Sequence, residues 1–146
     1  MSRRPHFLQP LLKRSAGPLV LRIEGRPEPV ATTLEGAFDS ATRKKGLLGR
    51  DGLPAGTALI IAPCNLVHTF AMHFPIDLIF AARDGRVLKI KPAVPARRIA
   101  GAWGAFATIE MAAGSAGRAD VKVGDRLMLD TPPDHVPRDA RAASTR

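Results

Sequence analysis

The sequence is short of sulfur and of aromatic rings. Its 146 residues hold one cysteine, one tryptophan and no tyrosine, and aromatic residues make up 5%. A lone thiol closes no internal disulfide, so the fold must rest on its apolar core, and an oxidising compartment is not called for. No helix-turn-helix, zinc-finger spacing or aromatic-rich RNA-binding signature is present. Long apolar runs are missing too, since none approaches the ~18 residues a membrane-spanning helix needs. The N-terminal stretch MSRRPHFLQPLLKRSAG is basic, but Gln9 and Pro10 interrupt its apolar run. It therefore lacks the continuous core and small-residue cleavage pattern of a signal peptide. The expectation is a soluble, cytoplasmic chain of one domain.

Acid is scarce relative to base, with 13 Asp and Glu against 22 Lys and Arg, a net charge of +9. Residues 1–14 carry Arg3, Arg4, Lys13 and Arg14 and no acid. That marks 1–16 as a flexible basic arm. Within the body, Arg83, Arg86, Lys89, Lys91, Arg97 and Arg98 stand against Asp84 alone. Such a patch attracts anions or nucleic acid through electrostatics, and equally describes a solvated hairpin.

What is abundant is punctuation. Thirteen glycines and thirteen prolines favour short elements and frequent turns. GPLVLRIEG (17–25) and GTALIIAP (56–63) read as strands, with PVATTLEGAF a less regular one between them. Asp39 or Ser40 can cap a short helix carrying Ala41, Lys44, Lys45, Leu47 and Leu48. AFATIEMAAG alternates Phe106, Thr108 and Glu110 with Ala107, Ile109 and Met111. A turn at Gly124-Asp125 then feeds a last strand, Arg126 to Leu129. The tail 131–146 has almost no apolar content and is expected to be disordered. Seven or so strands with one short helix predict a mainly β fold over 17–130, a compact sandwich or small open, jelly-roll-like barrel.

The densest chemistry lies in CNLVHTFAMHFPIDLIF, residues 64–80. Read as a strand, 64–72 would put Cys64, His68 and Met72 on one face. Residues four apart on a strand are separated by roughly 13 Å, however. No single metal ion with bonds of ~2.0–2.3 Å is held by two of them, so no metal site and no cofactor is expected. The same gap separates the Cys64 thiol from His68, which weighs against a thiolate nucleophile with Asp77 as third member. Phe70 and Met72 are expected in the core.

DLIFAARDGRVLKI reads as a hairpin. A two-residue loop pairs Phe80 with Lys89 and Leu78 with Lys91. A three-residue loop, Arg83-Asp84-Gly85 with Gly85 left-handed, pairs Phe80 with Leu88 and Leu78 with Ile90, and sets Asp77 opposite Lys91. Side-chain matching favours the second register. Asp77 is then a partner of Lys91, a turn cap, or a polar group facing a pocket.

TRKKGLLGRDGLP, VHTFAMHFPIDLIFAARDGRVLKI, ATIEMAAG and VKVGDRLML occur in that order, and together the chain resembles the family of bacterial and archaeal proteins called domain of unknown function 192. The matching positions are Gly46, Leu47 and Arg50, then Phe70, Met72, Pro75, Asp77, Asp84 and Gly85, then Glu110 and Gly114, then Gly124 and Asp125. The resemblance implies a compact, mainly β fold and no established activity, cofactor or catalytic residue. His73-Phe74 stands where many members have Lys-Asn, and the chain shows no leader where many members are exported.

The polar motif residues without a full local account are Arg50, Asp77 and Glu110, with His68 beside them. Floored by Phe70 and Met72, they could line a concave face for a small polar or anionic ligand, with Arg50 as anion anchor. Alternatively, the charged three tie the helix to the sheet as ion pairs. The leading expectation is a ligand-binding or accessory module, leaning away from catalysis. The alternatives are a hydrolase-type enzyme using Asp77, Glu110 and His68, or a nucleic-acid-associated protein using the 83–98 patch. Trp103, in GAWGAF, is expected as a pocket lid or a plug at a core edge.

Overall fold

The computed structural model describes residues 5–13 and 17–133. Its centre is a five-stranded sheet built from β3 (Thr33–Ala37), β4 (Thr57–Ile61), β6 (Ile76–Ala81), β7 (Val87–Val94) and β9 (Ala107–Ala112). The order is β3-β4-β9-β6-β7. Only the β3–β4 pair is parallel. A three-stranded sheet packs over one face, with β1 (Val20–Ile23) between β2 (Pro29–Ala31) and β10 (Leu127–Asp130). A two-stranded ribbon, β5 (Leu66–His68) with β8 (Ile99–Gly101), lies to the side. The chain is thus mainly β, as the strand periodicity predicts.

The central sheet divides two cores, and strand alternation allots its side chains between them. On one side Ile60, Ile79 and Ile109 meet Leu21 and Leu127 of the smaller sheet. On the other, Leu59, Leu78 and Phe80 meet Leu47, Met72 and Val94. Strands β4 and β6 are buried along their whole length, which explains why both read as near-continuous apolar runs.

Three helices are short. α2 (Ser40–Lys45) is the helix foreseen, its Asp39 side chain accepting from the Thr42 N–H at 2.8 Å, but it stops at the Gly46 cap, so Leu47 and Leu48 follow it rather than belong to it. α1 (Gln9–Leu12) and α3 (Ser115–Arg118) are single turns. α1 falls in the stretch expected to be a free arm, where the Phe7 N–H donates to the Arg83 carbonyl and Leu8 is fully buried in the first core. Leu8 and Phe7 supply apolar surface that the charge count of the arm obscures. Most of the tail expected to be disordered, 134–146, lies outside the described residues.

The β6–β7 hairpin corrects the preferred register. Its turn is the three-residue one: Ala82 and Arg86 face each other and Gly85 is left-handed, at φ 91°. A side chain at Gly85 would collide with the backbone carbonyl of Leu127. One residue on, the strand slips. Ala81 faces Val87, but Phe80 faces Lys89 and Leu78 faces Lys91. The cause is a second partner: Val87 donates to the Asp125 carbonyl and accepts from the Gly124 N–H, so the start of β7 is drawn toward the edge of the smaller sheet. The bulge at Leu88 takes up the difference.

Candidate functional site

Two motif carboxylates lie on adjacent strands, and the register decides their fates. Asp77 of β6 pairs with Met111 of β9, and Glu110 of β9 pairs with Leu78 of β6. Because neighbours along a strand point to opposite faces, the two carboxyl groups face opposite cores. They cannot share a reacting atom, which removes the geometry a paired-carboxylate hydrolase needs.

Asp77 is fully buried and saturated with backbone donors. Its Oδ1 accepts from the Ala93 N–H at 2.8 Å and the Gly114 N–H at 3.1 Å, and its Oδ2 from the Ala116 N–H at 2.8 Å. Ala93 sits in a second bulge, where two β7 residues stand opposite Asp77 and the ladder is interrupted. Asp77 replaces the missing ladder acceptor there and ties the bulge to the start of α3. It is neither Lys91's partner nor a pocket group.

Glu110 is buried to a similar degree, 6% exposed, but among the described residues no hydrogen bond reaches its carboxyl oxygens. Burial pushes its pKa up to about 7, against the pull of the Arg50 guanidinium. Arg50 itself is occupied by Glu35 of β3, in a two-pronged contact of 2.8 and 3.3 Å. Those bonds, with a smaller contribution from Glu110, hold Arg50 more firmly protonated. Glu35, Leu59, Glu110 and Leu78 form one row across the sheet, with Arg50 beside its two acids. Glu35 escapes a sequence reading because nothing in TTLEGA distinguishes it from an ordinary edge-strand acid.

Glu110 lines a cleft of about 530 Å³ between α2 and the β5 segment. Arg43, Lys44 and Lys45 come from α2, and Cys64, Asn65 and His68 from the opposite wall, with Leu47 and Met72 supplying apolar surface. The cleft therefore unites His68, Met72 and Glu110 of the residues expected to meet. Arg50 stands behind, engaged with Glu35. Phe70, expected in the core, is 46% exposed. The strand ends at His68, Ala71 adopts a left-handed φ of 61°, and the turn throws Phe70 outward onto the His68 ring, centroids 5.3 Å apart. Lys44 and Lys45 are legible as helix residues but not as cleft residues, because a cationic helix end reads as a solvated face.

The basic patch does not form one cluster. Arg83 lies over the Phe106 ring, 4.5 Å from its centroid. Arg86 is beside it at the hairpin turn, while Arg97 and Arg98 lie beyond the far end of the eight-residue strand β7. Lys89 and Lys91 sit between, with the Lys89 ammonium donating to the Gly101 carbonyl at 2.8 Å. Nor is Trp103 a lid or plug, being 100% exposed. A larger cavity, about 720 Å³, opens beside His6, Phe38, Arg83 and Phe106. Among the described residues its walls carry no carboxylate, and burial with Arg83 nearby holds the His6 imidazole below its usual pKa.

A model of domain of unknown function 192, described as an uncharacterized ACR, matches residues 20–129. No curated protein matches the chain. Among solved structures, a putative transcription regulator from Sinorhizobium meliloti superposes with a TM-score of 0.68 at 20% identity, over 88% of this chain and 98% of that one. A protein of unknown function from Novosphingobium aromaticivorans gives 0.65 at 24% identity, over 87% and 92%. At these identities the likeness shows a shared fold. Among the described residues no helix is long and apolar enough to cross a membrane.

Proposed function

The chain belongs to the uncharacterised family domain of unknown function 192, and from that premise we propose that it is a small-ligand-binding module whose site is the cleft between α2 and β5. The observation that carries this reading is Glu110, a buried carboxyl that lines the cleft while no described residue hydrogen-bonds it. Its oxygens open onto the cleft, the sealed side-chain atom without a partner among the described residues being His6 Nδ1, so a ligand in the cleft can replace solvent as the partner of the carboxyl. The cations of α2 at the mouth favour an organic anion, held by Lys44, Lys45 and Arg43. Its neutral polar end would then reach Glu110, which near neutral pH can either donate or accept. Met72 and Leu47 offer apolar surface to the body of such a molecule. Binding without chemistry is the better fit, because Glu35, the other carboxylate on that face, is engaged by Arg50 and Asp77 is spent on backbone.

A thermal-shift panel of small carboxylates, phosphates and their neutral analogues tests the reading on wild type, Glu110→Gln and Lys45→Ala. A ligand at a hundred times its Kd raises stability by ~2.7 kcal/mol through mass action. The expected result is an anion that raises the wild-type midpoint, with each variant binding at least about tenfold more weakly. An anion that shifts all three proteins equally would place its site elsewhere, and a panel without any wild-type response would end the proposal.

A further inference from the structure

The β5–β8 ribbon presents one face inward and one outward. Val67 and Ala100 pack toward the second core, so their neighbours Leu66, His68 and Ile99 take the other face. Leu66 is 62% exposed, Ile99 64% and Trp103 100%, with Phe70 beside them at 46%. Single exposed apolar residues are ordinary, but four on one short ribbon and its turns form a patch that calls for a partner.

The sequence segments that carry that patch hold charge of one sign, although Asp51 reaches the same turn through His73 at 3.5 Å. From Gly85 to Ile109 the sequence has Arg86, Lys89, Lys91, Arg97 and Arg98 and no Asp or Glu, and residues 52–76 carry no acid either. The structure sets three of these cations against the patch. Lys89 is bonded to the Gly101 carbonyl of β8. Arg97 and Arg98 are held beside Phe70 through Thr69, which donates its hydroxyl to the Pro95 carbonyl at 2.7 Å and accepts the Arg98 N–H at 2.9 Å. The Arg97 N–H and the Thr69 N–H close the same junction. The loop bearing the two arginines is therefore fixed relative to the apolar face.

We propose that this face, Leu66, Phe70, Ile99 and Trp103 ringed by Lys89, Arg97 and Arg98, docks the protein onto an anionic lipid surface. A tryptophan at the tip of a glycine-flanked turn suits the boundary between headgroups and acyl chains. Exposed Leu66 and Ile99 add apolar area that enters the same layer, and surrounding cations meet lipid phosphates. A single nucleic-acid strand is a poorer match. It needs successive open ring faces, whereas the centre of the patch is aliphatic and Phe70 already stacks on His68. The face adjoins the Glu110 cleft, since Leu66 and His68 also line that cleft, but Arg97, Arg98 and Trp103 are not among its described lining residues, so variants there test this proposal separately.

The test uses the fluorescence of Trp103, the only tryptophan in a chain without tyrosine. The purified protein is titrated with vesicles of phosphatidylcholine alone, with vesicles that also contain phosphatidylglycerol, and with a single-stranded oligonucleotide. The expected result is a blue shift with the anionic vesicles only, weakening as salt rises. Arg98→Gln is then expected to bind about fivefold more weakly, the worth of one cation near such a surface, with its own far-ultraviolet dichroism unchanged. No shift with either vesicle overturns the proposal. A response to the oligonucleotide without one to vesicles overturns it in favour of nucleic acid. A blue shift that grows with protein concentration alone overturns it in favour of self-association.

Discussion

Asp77 and Glu110 occupy neighbouring strands of one sheet, both buried, both acidic, and their hydrogen bonding is opposite. Asp77 faces the first core with three backbone N–H groups converging on it. Glu110 faces the second core, where burial raises its pKa and it lines an open cleft. Burial alone therefore does not distinguish a functional carboxylate from a structural one. The difference lies in whether the surrounding backbone already satisfies it. A carboxylate saturated by backbone is a fastener, whereas one that opens onto a cleft leaves its oxygens to the ligand proposed above.

The sharpest way to break the comparison is to remove the fastener. Asp77→Ala strips the acceptor from three buried or partly buried N–H groups and unties the β7 bulge from α3. Each orphaned donor costs about 1–3 kcal/mol, so a total near 4 kcal/mol is expected from the urea midpoint. Asp77→Asn should recover part of this loss, because one acceptor oxygen survives. A loss under about 1 kcal/mol for the alanine variant would mean that Asp77 is not structural, and the contrast with Glu110 would collapse.

Glu110 should behave in the reverse sense and only at the right pH. Its carboxyl moves from 4.5 to about 7 on folding. Below the lower value both states are protonated and no penalty exists. Between the two, the unfolded chain ionises while the folded chain keeps its proton, so stability falls as pH rises and the loss is complete above 7. At ~1.4 kcal/mol per pH unit the window is worth about 3 kcal/mol. Glu110→Gln should flatten this slope and equal or exceed wild-type stability at pH 8. If unfolding curves of the two proteins fall in parallel from pH 5 to 8, Glu110 is not the group that titrates.

Much of the frame of this comparison is legible in the sequence, and its decisive step is not. GTALIIAP and PIDLIFAA read as strands because both are apolar runs broken only by Thr57 and Asp77. The Gly85 turn and the Asp39 cap follow from local backbone chemistry. The pairing of Asp77 with Met111 joins residues more than thirty positions apart, and no local pattern fixes it. One residue of slip would place both carboxylates on one face. The bulge at Leu88 is hidden for the same reason, since it answers to the Gly124–Leu127 segment rather than to the hairpin. Phe70 misled because its β propensity is real, whereas the turn at Ala71 that exposes it has no glycine to announce it. Leu8 stays hidden because Gln9 and Pro10 cut its apolar run and the charges of Arg3, Arg4, Lys13 and Arg14 dominate the reading of the arm.

The smallest expected effect concerns Arg50, which lies beside the comparison without belonging to either side. Its contact with Glu35 has the geometry of a strong pair, but the partners are 36% and 40% exposed. Solvent-exposed pairs contribute about 0–1 kcal/mol, so Arg50→Ala should lower stability by no more than that near pH 5. Its larger effect should be on Glu110, because Arg50 opposes the upward push of burial. Without the guanidinium, the Glu110 carboxyl should titrate at higher pH, and the falling part of the stability curve should extend further into the alkaline range. The double variant Arg50→Ala with Glu110→Gln should lose that extension while keeping the small loss at pH 5. An unchanged pH profile in Arg50→Ala would separate the two residues electrostatically and leave Arg50 as Glu35's partner alone.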